Sequence, residues 1–401
     1  MSRINSAIAF AESVTVADLE RDPYPVYGRL RREAPVCFIP AVGLWFVTRY
    51  DDVEHVGTHP GLFSAELDDS PLDRTFGSPT ILTVDGERHH ELRRALDAKY
   101  RPRYVNGYIE DLVRPIAARL LDELAGCDRA ELLSQYLEPL SVLSLGQVLG
   151  VAHLGADKLR DWFWRLHQGA INFEENPERE ATGLACSREI NVELGPLFDR
   201  LEAQADDSTI SHLLCTGMPD GQSRSRDYVL PTLKVILLGG MQEPGHGAAS
   251  TLAGLLANRG QVSALLDDPE GLLPATVEEG LRWVSPIGSQ TRQVTEDTEL
   301  GGVTLPRGAV VGSLVSSANR DESKFADPDR FDIFRQRTAT PLAFGAGRHF
   351  CAGHAFSRGQ IQIALGELLR RFPGIRLDPQ QAPEFRGWEF RAPRSLHVLL
   401  S

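Results

Sequence analysis

The sequence predicts a mainly α fold with small β-sheets (α+β), and three observations carry that reading. From about residue 88 to 285 apolar residues recur at i, i+3 and i+4. Residues 36–53, "VCFIPAVGLWFVTRYDDV", gather β-branched and aromatic residues around a Gly turn. Residues 298–315, "TELGGVTLPRGAVVGSLV", give short strand signals punctuated by Gly and Pro. Taken in order, the 36–53 stretch reads as a hairpin. Helices follow at "HHELRRALDAKY", "YIEDLVRPIAARLLDELA", "DKLRDWFWRLHQGAI", "SREINVELGPLFDRLEAQ", "LPTLKVILLGG" and "TVEEGLRWV". No repeat and no low-complexity linker divides the chain, so residues 1–401 read as one domain.

With 401 residues, 42% of them hydrophobic and 24% charged, the chain can bury a large core. A formal net charge of −13 argues against nucleic acid or an anionic membrane as the main partner, because both reward clustered Lys and Arg. The stretch "MSRINSAIAFAESVTVADLE" has neither a bilayer-length apolar run nor a signal-peptide core, so a cytoplasmic protein is expected. Five cysteines (Cys37, Cys127, Cys186, Cys215, Cys351) are widely spaced and never form CxxC, which suggests neither a disulfide framework nor a structural zinc site.

Cys351 differs from the others in its surroundings, "PLAFGAGRHFCAGHAFSRGQIQIAL". A helical pattern starts just after it, so its thiolate is favoured by the positive end of a helix dipole. Flanking glycines let a large flat group approach the backbone. The run "FGAGRHFCAG" (residues 344–353) resembles the heme-binding signature of the cytochromes P-450, whose cysteine thiolate is the proximal iron ligand and favours O–O cleavage. That resemblance implies heme b as cofactor, a triangular helix-rich single domain, and a cofactor-binding set made of Phe344, Gly345, His349, Cys351 and Gly353 from this run.

Further stretches extend the resemblance over nearly the whole chain. "EEGLR" supplies Glu279 and Arg282, for which the family implies a buried network with an Arg of a later loop, here Arg330. "DGERHHELRRAL" places His89 and Arg93 one helical turn apart on one face. Two heme propionates demand fixed cations, and Arg suits a carboxylate. The resemblance assigns His89, Arg93, Arg292 and His349 to the propionates.

"LLGGMQEPGHGAAS" (237–250) interrupts an apolar helix with an amide, a carboxylate and a proline. Pro244 cannot donate to the carbonyl of Gly240, so the helix should open there. Where the family usually has an acid and an alcohol on its distal helix, this chain has Gln242 and Glu243. A buried carboxylate there can take a proton from one oxygen of hydrogen peroxide and return it to the other, with Gln242 orienting it or an intervening water; this is peroxygenase chemistry. A kink carrying a solvated Glu is the bland alternative. "GGMQEPGH" is similar to the text of bacterial family members that O-demethylate lignin-derived methoxyphenols such as guaiacol and syringol, implying a catechol-type product and formaldehyde.

By family position the substrate-binding residues are Val235, Leu238 and Gly239 on the distal helix, Ile287 and Thr291 before the later strands, and Phe76, Phe173 and Phe390 in loops. Such aromatic residues can clamp a small aromatic ether. The oxidant is either hydrogen peroxide or dioxygen with a ferredoxin- or flavodoxin-type reductase, which would dock on Arg94, Lys99, Arg101, Arg103, Arg348 and Arg358. The alternatives are a conventional NAD(P)H-dependent monooxygenase acting on another small or terpenoid-like substrate, and a non-catalytic heme sensor.

Overall fold

A computed structural model describes residues 3–400. The predicted helical pattern resolves into separate helices, of which seven frame the central cavity: α1 (Gly86–Tyr100), α2 (Glu138–Leu149), α3 (Ala156–Ala170), α4 (Arg226–Met241), α5 (Glu243–Leu256), α6 (Pro269–Trp283) and α7 (His354–Arg371). Among the described residues no helix is long and apolar enough to cross a membrane.

At the sheet end, β1 (Val36–Ile39), β2 (Leu44–Val47), β3 (Phe63–Ser64), β4 (Gln290–Val294) and β5 (Val310–Ser313) pair in the order β1-β2-β5-β4-β3. The predicted hairpin exists, with Val36 opposite Val47, but it ends at Val47, and "YDDV" belongs to the helix Tyr50–Thr58 instead. Asp51 and Asp52 sit in that helix's first turn, where the dipole favours acidic side chains. The segment 187–204 also divides, into helices Pro177–Glu193 and Gly195–Ala203. Pro196 reads as an interruption in that stretch, yet it is tolerated as the second residue of a new helix.

The distal helix opens where Pro244 predicts, with Gln242 at the junction between α4 and α5 (φ −106°, ψ −27°). Helical bonding resumes as the His246 N–H donates to the Gln242 carbonyl at 2.8 Å. Directly behind the break, Gly245 presses on a π-turn, Leu133–Leu137, that leads into α2. A Cβ at Gly245 would lie 2.8 Å from the Leu137 carbonyl oxygen, so only glycine allows this approach.

The core on the sheet side of α6 is held by an ionic network. Arg282, with 1% of its side chain exposed, donates from Nε and Nη2 to Glu279 at 2.8 Å each, and to the Asn319, Pro328 and Arg330 carbonyls. The expected third member is corrected: Arg335, not Arg330, reaches Glu279, at 3.1 Å. Arg330 contributes only its backbone carbonyl, because the loop turns before its side chain faces inward, and that side chain is exposed. Arg335→Ala is therefore expected to lower unfolding stability by roughly 1–3 kcal/mol, since Glu279 loses one of its two arginine partners. Arg330→Ala should change it by less than about 0.5 kcal/mol. Denaturation midpoints of the two variants check this, and equal effects would contradict the assignment.

Candidate active site

One cavity of about 320 Å³ brings together residues far apart in sequence. His89 and Arg93 come from α1, Val235, Leu238 and Gly239 from α4, Glu243 from α5, Thr291 and Arg292 from β4, and Phe344, His349, Cys351 and Gly353 from the loop before α7. Ile287, Phe173 and Phe390 complete the apolar wall.

The Cys351 loop is shaped by its glycines. Gly345 has φ +75°, which favours glycine, and a Cβ there would meet the Gln290 amide at 2.4 Å. Gly345 is buried against Gln290, which lines the cavity, and it shapes the loop. The Cys351 N–H donates to the Phe344 carbonyl at 2.9 Å, which closes the turn. Burial pushes the Cys351 thiol up, while the Gly353 N–H and the Arg93 and Arg358 guanidinium groups pull it down. The Arg358 guanidinium lies 4.3 Å from the Phe344 ring centroid and pairs with Glu278.

Across the cavity, cationic and imidazole groups crowd together with few acidic partners. The His89 and His349 ring centroids are 4.3 Å apart. Neither nitrogen of His89 has a hydrogen-bond partner, nor does His349 Nδ1. Burial, then His349 and Arg93, pull His89 down to about 4. His349 Nε2 is fixed by Asp85 at 2.9 Å. Burial alone would raise Asp85, but hydrogen bonds from His349, the Ala65 N–H and Ser64 hold it well below the usual carboxylate range. The Arg93 guanidinium donates to the Phe350 carbonyl, and Arg292 donates to its neighbour Thr291's carbonyl. Burial pulls Arg292 down to about 10. Sequence reasoning missed Asp85, whose distance of 264 residues from His349 leaves no local signal.

The distal wall holds an acid without a partner. Glu243 is 6% exposed, and neither carboxylate oxygen makes a hydrogen bond. Burial pushes it up to about 8; the Glu243 and Gln242 backbone amides offset this in part, and the charge of Glu138 adds to it. Glu138 is the partnered member of the two, accepting from His246 Nε2 at 3.0 Å and from Arg160. Although burial raises Glu138, those bonds outweigh it and hold Glu138 below the usual range. The surroundings thus push these two carboxyl groups in opposite directions, Glu243 up and Glu138 down.

Two expectations here are corrected. The Gln242 amide makes no direct hydrogen bond to Glu243: it is fully buried, off the cavity wall, and neither of its polar atoms has a partner. Phe76 does not line the cavity either. Its ring enters the helical core, and its carbonyl accepts from the buried Lys234 ammonium at 3.2 Å, which ties that segment to α4. In the expected basic docking patch, Lys99, Arg101 and Arg358 are paired with Asp207, Asp97 and Glu278, whereas Arg348 is exposed.

The sequence pattern of the family described as Cytochrome P450 matches residues 271–388, the stretch from α6 to the segment that ends just before Phe390. Over 387 residues, 92% of each chain, the protein is 32% identical to Cytochrome P450 107B1 of Saccharopolyspora erythraea. This chain belongs to the cytochrome P450 family. Its fold agrees with that of cytochrome P450 CYP109Q5 from Chondromyces apiculatus (TM-score 0.83, 29% identity, covering 96% of this chain and 97% of that one). It agrees equally with cytochrome P450 CREJ, solved in complex with (4-ethylphenyl) dihydrogen phosphate (TM-score 0.85, 25% identity, 95% and 98%). As a P450 it is a heme-thiolate oxidoreductase, and its cofactor is heme b. The cavity fits that group: unpartnered imidazole nitrogens and an acid-free Arg292 await anionic partners, and a thiol faces the same space.

Proposed function

We propose that this P450 O-demethylates small methoxyphenols of the guaiacol and syringol type, and that hydrogen peroxide can serve as its oxidant. The observation that carries the proposal is the Glu243 carboxyl, buried on the cavity wall at a helix break with no hydrogen-bond partner. A buried polar group left unmatched costs stability, and a carboxyl costs more than most, so its placement on the wall points to a partner that arrives with the reaction.

In this reading Cys351 would hold heme b through its thiolate, and His89, Arg93, Arg292 and His349 would pair with its carboxylates. Heme b, so held, supplies the oxidising power that inserts oxygen into a methyl C–H bond. Glu243 takes a proton from one oxygen of hydrogen peroxide and returns it to the other, so that water departs. The methoxy carbon becomes a hemiacetal, and the net change is aryl methyl ether plus peroxide giving phenol, formaldehyde and water. Phe173, Phe390, Ile287, Val235 and Leu238 exclude water and press on the ring. Gly239 leaves open space on the wall, since nothing lies within 4 Å of where its Cβ would be.

The cavity wall is largely apolar and carries the Phe173 and Phe390 rings, which suits a small aromatic ligand. The CREJ ligand is likewise a single substituted ring. Guaiacol and syringol are therefore expected to shift the ferric iron toward high spin in optical titrations, and a bulky steroid should not. The reverse preference would overturn the methoxyphenol reading and leave the family assignment intact. The exposed Arg348 beside Cys351 keeps a second route open, in which dioxygen and a ferredoxin-type partner supply the oxidant.

A further inference from the structure

The cavity wall holds a second buried acid that the reaction above does not use. We propose that Glu389 is a specificity-determining residue, whose carboxyl hydrogen-bonds a hydroxyl-bearing side chain on the edge of the substrate ring remote from the carbon that is oxidised. The proposal rests on the methoxyphenol reading and adds to it the class of ring substituent accepted.

Glu389 lines the cavity, is 7% exposed, and belongs to the wall formed by Ile287, Ser289 and Phe390. Its backbone is clamped: the Gly288 N–H donates to the Glu389 carbonyl at 2.7 Å, Ile287 bridges to Phe390, and the Arg391 N–H donates to the Pro286 carbonyl at 2.9 Å. The side chain is half satisfied. Ser289 Oγ donates to Oε2 at 2.8 Å, whereas Oε1 is buried without a partner. The adjacent Arg391 guanidinium does not neutralise it, being directed to the Gly387 carbonyl at 2.9 Å and to Asp22 at 3.5 Å. Burial pushes Glu389 up to about 7, with Glu20 and Glu174 adding to that and Ser289 opposing it.

Because Ser289 fixes Oε2 as an acceptor, the acidic proton falls to Oε1 when the group is neutral. Oε1 then has a hydrogen to donate, and when ionised it accepts. A hydroxyl is the ligand group that satisfies both states, since it donates and accepts. An aliphatic substituent would leave Oε1 buried and unmatched.

The test compares two para-substituted 2-methoxyphenols of nearly equal size, one with a hydroxymethyl group and one with an ethyl group. Their dissociation constants are read from the heme optical shift for wild type, Glu389→Gln and Glu389→Leu. In wild type the hydroxymethyl compound is expected to bind at least as tightly as the more apolar ethyl compound. Glu389→Leu should move the ratio of the two constants toward ethyl by roughly 3- to 10-fold, the worth of one hydrogen bond, and Glu389→Gln, which keeps a donor and an acceptor, by less. A wild type that favours ethyl, an unchanged ratio in the Leu variant, or equal losses in both variants would overturn the proposal. The wild-type comparison needs no substitution and stands even if the Leu variant fails to fold. Guaiacol lacks the remote group and serves as control: no response to guaiacol in wild type counts against the methoxyphenol reading. An intact guaiacol response without hydroxyl discrimination counts against Glu389 alone.

Discussion

Cys351→Ala is expected to abolish the optical band that thiolate ligation gives the reduced carbon monoxide complex, and to abolish demethylation with it. Cys351 sits at the mouth of α7, and the loop that presents it is fixed by the Phe344 carbonyl and by the turn at Gly345. Removing the sulfur would remove the thiolate that holds heme b while leaving those backbone contacts intact, so the protein should still fold. Spectra of the reduced protein with carbon monoxide check this. A thiolate-type band that survives the substitution would show that the ligand is another residue.

Glu243→Gln should lower peroxide-driven demethylation by about 100-fold to 10,000-fold, the usual contribution of a positioned proton-transfer group. The wild-type rate should also rise with pH up to about 8, because the ionised carboxyl is the form that accepts a proton and burial pushes Glu243 up to about 8. That limb should vanish in the Gln variant. Stability moves in the opposite sense. Below about pH 4 the carboxyl is protonated in folded and unfolded chains alike; between there and about 8 it is protonated only in the fold, so the unfolded chain binds fewer protons and stability falls as pH rises. Glu243→Gln removes this penalty and should denature later than wild type at pH 8. A variant that is more stable and nearly inactive separates a proton-transfer role from a structural one. Unchanged activity and an unchanged pH profile would reduce Glu243 to a passenger of the helix break.

The parts of the site legible in the sequence are those whose chemistry is written locally. The Cys351 loop needs its glycines within a few positions of the sulfur, His89 and Arg93 need one helical turn, and Pro244 breaks a helix wherever it stands in the interior. The partners supplied by tertiary contact were not legible. Glu138 reaches His246 across 108 residues and Asp85 reaches His349 across 264, and no local spacing announces either pair. Arg335 was missed for Arg330 because a loop's final turn decides which guanidinium faces Glu279. Phe76 was misplaced because "LDRTFGSPT" reads as a loop, whereas Phe76 closes the helix Pro71–Phe76 and its ring enters the core. Glu389 gave no signal in "FRGWEFR", where it reads as one more charged residue of a polar loop.

The most direct test of the central claim is formaldehyde released per enzyme from guaiacol or syringol with hydrogen peroxide as the sole oxidant and no reductant or electron-transfer partner present. Repeated turnover by wild type, matched by an equal yield of catechol-type product and nearly lost in Glu243→Gln, is the predicted result. No peroxide-driven turnover in wild type, in protein that demethylates the same compounds when a reductase system is supplied, would contradict it.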